Sequence, residues 1–149
     1  MNPRFKKIEN PFQTFQVDDL IITAVSLNHS KLTYGYCIEH AGKRLAYLCD
    51  TKGIPKKTLD FLIQYKADTV IIDCTYPPNF KGYNHNDLNE AIEITKQLNC
   101  LNIYLTHISH ELDCYLMDNP LPRGVNLAMD LLEFSIDYFE AGFSNCKKY

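Results

Sequence analysis

The run TVIIDC, residues 69–74, sets Val70, Ile71 and Ile72 side by side with no polar residue between them. A short apolar run without alternation is the pattern of a strand covered on both faces of a sheet, and such a strand needs helices or a second sheet beside it. Helical signals flank it. Upstream, PKKTLDFLIQY opens with Pro55, which suits the first turn of a helix, and places Leu59, Leu62 and Ile63 on one face at helical spacing. Downstream, the chain reverses through the breaker pair Pro77-Pro78 and NFKGYNHN. Asn86 or Asp87 then caps the helix DLNEAIEITKQLN, with Leu88, Ile92, Thr95 and Leu98 in a stripe and Glu90, Glu93 and Lys96 toward water.

The rest of the chain extends this order. An Asp18-Asp19 turn precedes the strand LIITAVSL, which leads to His29. LTYGYCIEH and RLAYLCD flank Ala41-Gly42-Lys43 and read as a β-hairpin, because glycine takes the positive φ that a tight turn requires. The second of these strands runs to Asp50, and CLNIYLTH runs to His107. A short helical piece around ELDCYLMDN, the stretch PLPRG and a closing β-like segment VNLAMDLLEFSI follow. Strand, helix, strand, helix, strand is an α/β order, and the early hairpin adds an antiparallel part. A mixed sheet with helices mainly on one face is therefore expected, as one domain over residues 1–149, with 1–14 and 138–149 as its less defined flanks.

Fifteen Lys and Arg against 18 Asp and Glu give a net charge of -3, which argues against a nucleic-acid protein that grips phosphate through a broad basic surface. No apolar run reaches the roughly 20 residues that span a bilayer, and MNPRFKKIEN lacks the apolar stretch of a signal peptide. A cytoplasmic location is expected. The cysteines Cys37, Cys49, Cys74, Cys100, Cys114 and Cys146 show no CxxC spacing and are expected to be reduced.

The pattern that points to chemistry is positional. VSLNH, AYLCD and IYLTH each carry an apolar strand into a metal-competent residue: His29, Asp50 and His107. Strand ends line one rim of a sheet, where side chains are held rigidly yet leave the core. Two imidazoles and a carboxylate suit Zn²⁺ or Mn²⁺. Taken singly, each is more simply explained without a metal, Asp50 as a cap for the turn TKG and either histidine as a partner for a backbone carbonyl. His107 and His110 stand three apart and need not serve one ion. His85, in NHND at the mouth of a helix, is either a proton donor to a leaving group or a loop histidine beside a cap. Asp73, after a strongly apolar run, either orients a ligand histidine or caps the Pro-Pro turn. Neither a Gly-rich phosphate loop nor a nucleophile elbow is present.

Taken in order, VSLNHSKLTYGY, YLCDTKGIPKKTLDFL, DCTYPPNFKGYNHNDLN, YLTHISHELD and LPRGVNLAMD resemble consecutive motifs of the PhnP-type phosphodiesterases of the metallo-β-lactamase superfamily, over roughly residues 15–134. The resemblance implies half of an αββα sandwich. It implies that His29 holds one ion of a binuclear Mn²⁺ or Zn²⁺ centre, Asp50 bridges both, His107 holds the other, and His85 is the general acid. It matches His110 to a histidine that joins three cysteines around a structural zinc. The implied activity is hydrolysis of small cyclic phosphodiesters of the 5-phosphoribosyl 1,2-cyclic phosphate type, met in phosphonate breakdown.

The superfamily's His-x-His-x-Asp-His motif and a CxCxxC group occur nowhere in the sequence, so the chain is expected to correspond to the C-terminal half of such an enzyme. The sheet face that the other half would cover is then expected to pair two chains as a homodimer. Two other functions fit the same residues: an inactive module that serves oligomerisation or interaction, and a sister hydrolase such as a tRNA 3'-end nuclease.

Overall fold

A computed structural model describes residues 7–134. The first three strands are β1 (Thr14–Val17), β2 (Leu20–Leu27) and β3 (Thr33–His40), and β4 (Lys43–Leu48) completes an antiparallel meander. From β4 onward the sheet is parallel: α1 (Lys56–Tyr65) leads to β5 (Thr69–Asp73), α2 (Leu88–Leu98) to β6 (Asn102–Thr106), and α3 (His110–Asp118) to β7 (Val125–Leu127). The seven strands lie in sequence order. Each crossover thus advances in the same direction, and connections of one hand must all lie on one face of the sheet. The mixed α/β sheet expected from the sequence is the observed one.

Register shows which side chains meet the helices. Cys37, Ala46, Val70 and Ile103 are opposite one another on β3 to β6, as are Leu48, Ile72 and Leu105 on β4 to β6. All are buried in one core with Leu62 of α1, Ala91 and Ile94 of α2 and Leu112 of α3. On the opposite face, Ile22, Ile38, Tyr36, Tyr47, Ile71 and Tyr104 point away from every helix, since side chains two apart along a strand share a face. Phe15, Ile22, Tyr36, Ile38 and Tyr47 line an open apolar concavity there. Phe134 stacks on Tyr104 at the far edge, with ring centroids 4.6 Å apart.

The hairpin turn holds only Ala41 and Gly42, both at positive φ (47° and 76°), because Lys43 already pairs with His40; a two-residue turn of this kind matches the twist of the strands. On α1 the buried residues are Thr58 and Leu62, while Ile63 is exposed. The helix is rotated because Phe61 stacks on Tyr65 and meets Phe12, and the Thr58 hydroxyl donates to the Ser26 carbonyl at 2.8 Å. Glu90 does not simply face water: its Oε2 accepts from the Asp87 backbone N–H at 2.9 Å and from Lys52 Nζ at 2.6 Å. The closing β segment ends at Leu127, since the chain turns through residues 129–131 and Leu131 has φ 62°. Ser135 and Ile136 of that segment lie outside the described residues.

Asp87, not Asn86, caps α2, in a capping box with Glu90. Among the described residues five cysteines are free, and no helix is long and apolar enough to cross a membrane.

Candidate metal site

The C-terminal ends of β4, β5 and β6 open onto one rim. Asp50 lies two residues beyond β4, Asp73 is the last residue of β5, and His107 follows β6 directly with φ 64°. A non-glycine residue in the left-handed region costs about 1–2 kcal/mol, and here it falls on a chemically competent side chain. His85 reaches the same rim from the loop before α2. Ligand atoms of Asp50, Asp73, His85 and His107 all lie within 4.8 Å of one another. His29, two residues beyond β2, stands beside this group, its ring edge-on to His85 at 5.3 Å between centroids. His85 and His107 are stacked at 4.4 Å.

The loop that carries His85 is pinned by Asn86, which is fully buried. Its side chain accepts from the Gly53 N–H at 2.7 Å and donates to the Asp73 carbonyl at 3.1 Å, while its carbonyl accepts from Thr75 N–H at 2.9 Å. One amide thereby ties the β4–α1 loop, the end of β5 and the start of α2 together. Every polar atom involved is satisfied, as a buried amide requires.

Two carboxylate–imidazole pairs occupy the cluster, and their spacings differ in meaning. His85 Nδ1 is 2.7 Å from Asp73 Oδ2, a direct hydrogen bond that leaves no room for an ion between them. His107 Nε2 is 3.7 Å from Asp50 Oδ1. That is too long for a hydrogen bond, and it is close to the roughly 3.4 Å that separates N and O ligands about 2.0–2.2 Å from a tetrahedral zinc. The Asp50–His107 pair therefore has the opening a divalent cation fits, and the Asp73–His85 pair does not.

The donors around Asp73 fix the hydrogen-bonding role of Nδ1 in both rings. Asp73 is fully buried and, as a carboxylate, can only accept: from Thr51 N–H at 3.0 Å and His85 on Oδ2, and from the Thr75 hydroxyl at 3.2 Å on Oδ1. The single hydroxyl proton of Thr75 is thus directed to Asp73. His107 Nδ1, 2.8 Å from the same oxygen, must then donate to it. A neutral His107 consequently keeps its lone pair on Nε2, toward Asp50. His85 likewise donates from Nδ1 and presents Nε2 outward. The Cys49 thiol, donating to Asp50 Oδ1, and then the charges of His107, His85 and His29, hold the Asp50 carboxyl below the usual carboxylate range against the opposing effect of burial.

The residues singled out in the sequence fall into two places. His29, Asp50, Asp73, His85 and His107 converge on this rim. His110, at the start of α3, is exposed and lies outside the four-residue cluster, next to Cys114. Thr75, Asn86 and Cys49 also belong to the site; the sequence marks Asn86 only as a candidate helix cap and Cys49 only as a reduced thiol. Thr75 had a visible signal: it lies two residues after Asp73, so an extended backbone puts both side chains on one face.

A family model described as a β-lactamase superfamily domain matches residues 4–108. The chain belongs to the metallo-β-lactamase superfamily. Its likeness to the PhnP branch holds: a structure described as a new diphosphatase from the PhnP family is 26% identical, with a TM-score of 0.67 over 80% of this chain and 44% of that one. The short form of human tRNase Z shares the fold, with a TM-score of 0.65 and 21% identity over 83% of this chain and 46% of the human chain. A Caenorhabditis elegans protein, zinc phosphodiesterase ELAC protein 2 homolog, is 26% identical over 137 residues, which are 85% of this chain and 15% of the worm protein. The chain thus spans less than half the length of these relatives.

Proposed function

We propose that this chain contributes its cluster to a metal-dependent phosphodiesterase centre that hydrolyses small phosphodiesters, cyclic ones of the 5-phosphoribosyl 1,2-cyclic phosphate type among them. The observation that carries this reading is the division of the cluster into an open pair, Asp50 and His107, and a closed pair, Asp73 and His85. The zinc phosphodiesterase activity in the name of the worm relative agrees with it.

Asp50 and His107 are the residues that would hold Zn²⁺ or Mn²⁺, with His29 adjacent for a second ion. A bound divalent ion supplies Lewis-acid neutralisation of phosphate oxygens and a water nucleophile effective at neutral pH. His85, when protonated, gives its Nε2 proton to the departing oxygen, because Nδ1 is committed to Asp73. Asp73 steadies the imidazolium before transfer. Through Thr75 it also keeps the His107 lone pair on the metal-facing nitrogen. The stacked His85 and His107 rings fix the separation between acid and ligand.

Elemental analysis of the purified chain for manganese and zinc, followed by turnover of bis-p-nitrophenyl phosphate with added Mn²⁺, tests the reading. Bound metal with turnover supports it. Metal below stoichiometry without turnover favours the second reading, an inactive module that acts in association. That reading is favoured by the helix-free face, where Phe15, Ile22, Tyr36, Ile38 and Tyr47 form an apolar surface without a charged residue. A second copy is its proposed occupant, since two identical uncharged faces meet without like-charge repulsion.

A further inference from the structure

We propose that Cys49 is a positioning residue for Asp50: its thiol proton holds Oδ1 of that carboxylate toward His107. The inference deepens the metal-centre reading above and rests on it. Asp50 stands in the loop two residues beyond β4, with its side chain 37% exposed. A carboxylate so placed turns easily about its last torsion, whose energy wells are broad and two-fold. A cation between Asp50 and His107 needs one oxygen at a fixed place, so something must stop that rotation.

The other carboxylate of the rim, Asp73, is held by three donors. Asp50 is held by the residue before it, since Cys49 Sγ lies 2.7 Å from Oδ1. Two heavy atoms this close need a proton between them, and a carboxylate has none, so the thiol supplies it. Oδ1 is also the oxygen that stands 3.7 Å from His107 Nε2. The thiol proton takes one of its lone pairs and leaves the other for the ion. Tyr47 steadies the thiol in turn. It lies two residues back along the strand, hence on the same face, and its hydroxyl hydrogen-bonds the Cys49 sulfur, which leaves the single thiol proton for Asp50. Tyr47 also lines the concavity of the helix-free face, so a chain of three side chains runs from that face to the rim. A thiol is a weak donor. It orients the carboxylate while drawing little negative charge from the oxygen that the ion must use.

Cysteine is also an ordinary filler of small apolar spaces, and two substitutions separate the roles. Cys49→Ser keeps a donor, whereas Cys49→Val keeps bulk without one; circular dichroism checks that both fold. Calorimetric titration with Zn²⁺ and Mn²⁺ should show Cys49→Val binding about 10–100-fold more weakly and Cys49→Ser close to wild type. The contact itself is read without metal, from the S–H stretching band in Raman spectra of the metal-free chain. The band that wild type has and Cys49→Val lacks should lie below the position of an unbonded thiol, and should rise to it when Asp50→Ala removes the acceptor. Wild-type affinity in Cys49→Val, an equal loss in Cys49→Ser, or a band indifferent to Asp50→Ala would overturn the proposal while the metal-centre reading stands. A wild-type chain that takes up neither ion would overturn both.

Discussion

Replacing Asp73 by asparagine keeps the shape of the side chain and reverses one of its hydrogen-bonding atoms. Oδ2 receives two obligatory donors, the Thr51 backbone N–H and His85 Nδ1–H, so the amide must turn its oxygen that way. Its NH₂ then faces Thr75, whose hydroxyl changes from donor to acceptor. The displaced hydroxyl proton has one destination, His107 Nδ1 at 2.8 Å. His107 must move its own proton to Nε2, the nitrogen that faces Asp50, and the lone pair offered to a cation is lost. The opposite amide orientation buries two N–H groups against an NH₂, at about 1–3 kcal/mol each.

Outer partners of metal-ligating histidines are worth about 10–100-fold in metal affinity, or about 1.4–2.7 kcal/mol. Three charge-assisted hydrogen bonds become neutral ones, a loss of about 1 kcal/mol each, offset in part because no charge remains buried. Asp73→Asn is therefore expected to bind Zn²⁺ or Mn²⁺ about 10–100-fold more weakly while it remains folded. Calorimetric titration measures the affinity, and nitrogen NMR of the imidazoles reports the His107 tautomer. Thr75→Val, which removes only the hydroxyl link, should release the His107 tautomer and leave the His85 one unchanged. Wild-type metal affinity and an unchanged His107 tautomer in Asp73→Asn would refute the proton accounting.

Further expectations concern neighbouring features. His85→Ala should lower kcat by about 10²–10⁴-fold for diesters with alkoxide leaving groups, and far less for p-nitrophenyl diesters, whose leaving group needs no proton; equal losses on both would remove His85 as the acid. Burial pushes the Cys37 and Cys74 thiols up to about 12 from an ordinary 9.0, so both should resist disulfide reagents at pH 8 while exposed Cys114 reacts. Folding favours the protonated form of these two thiols. Their contribution to stability is thus complete below about pH 9 and is lost as pH rises toward about 12, which a fall in Tm across that interval would show. If a second copy covers the helix-free face, Ile38→Asp should convert a dimer to a monomer in sedimentation velocity, and an unchanged sedimentation coefficient would place the contact elsewhere.

Strand and helix order was legible because it rests on short-range periodicity: three consecutive apolar residues at Val70–Ile72 demand cover on both faces wherever the strand sits. The reading that strand ends share a rim was enough to bring Asp50 and His107 toward one another, since parallel neighbours in sequential order must end on the same side. What periodicity does not carry is rotation and proton direction. Leu59, Leu62 and Ile63 share a helical face on paper, yet Ile63 is exposed, because the stacking of Phe61 on Tyr65 and the Thr58–Ser26 hydrogen bond decide how α1 sits on the sheet. Asp73 posed the harder case. A carboxylate at the end of an apolar strand announces that something must satisfy it, but its partners come from Thr51 on one loop and His85 on another. Only their simultaneous arrival shows that Asp73 is not a turn cap. Even then its effect on His107 passes through the one proton of Thr75. A residue that acts through the direction of a single hydroxyl has no local signature beyond its i+2 spacing, and the tautomer of His107 depends on it all the same.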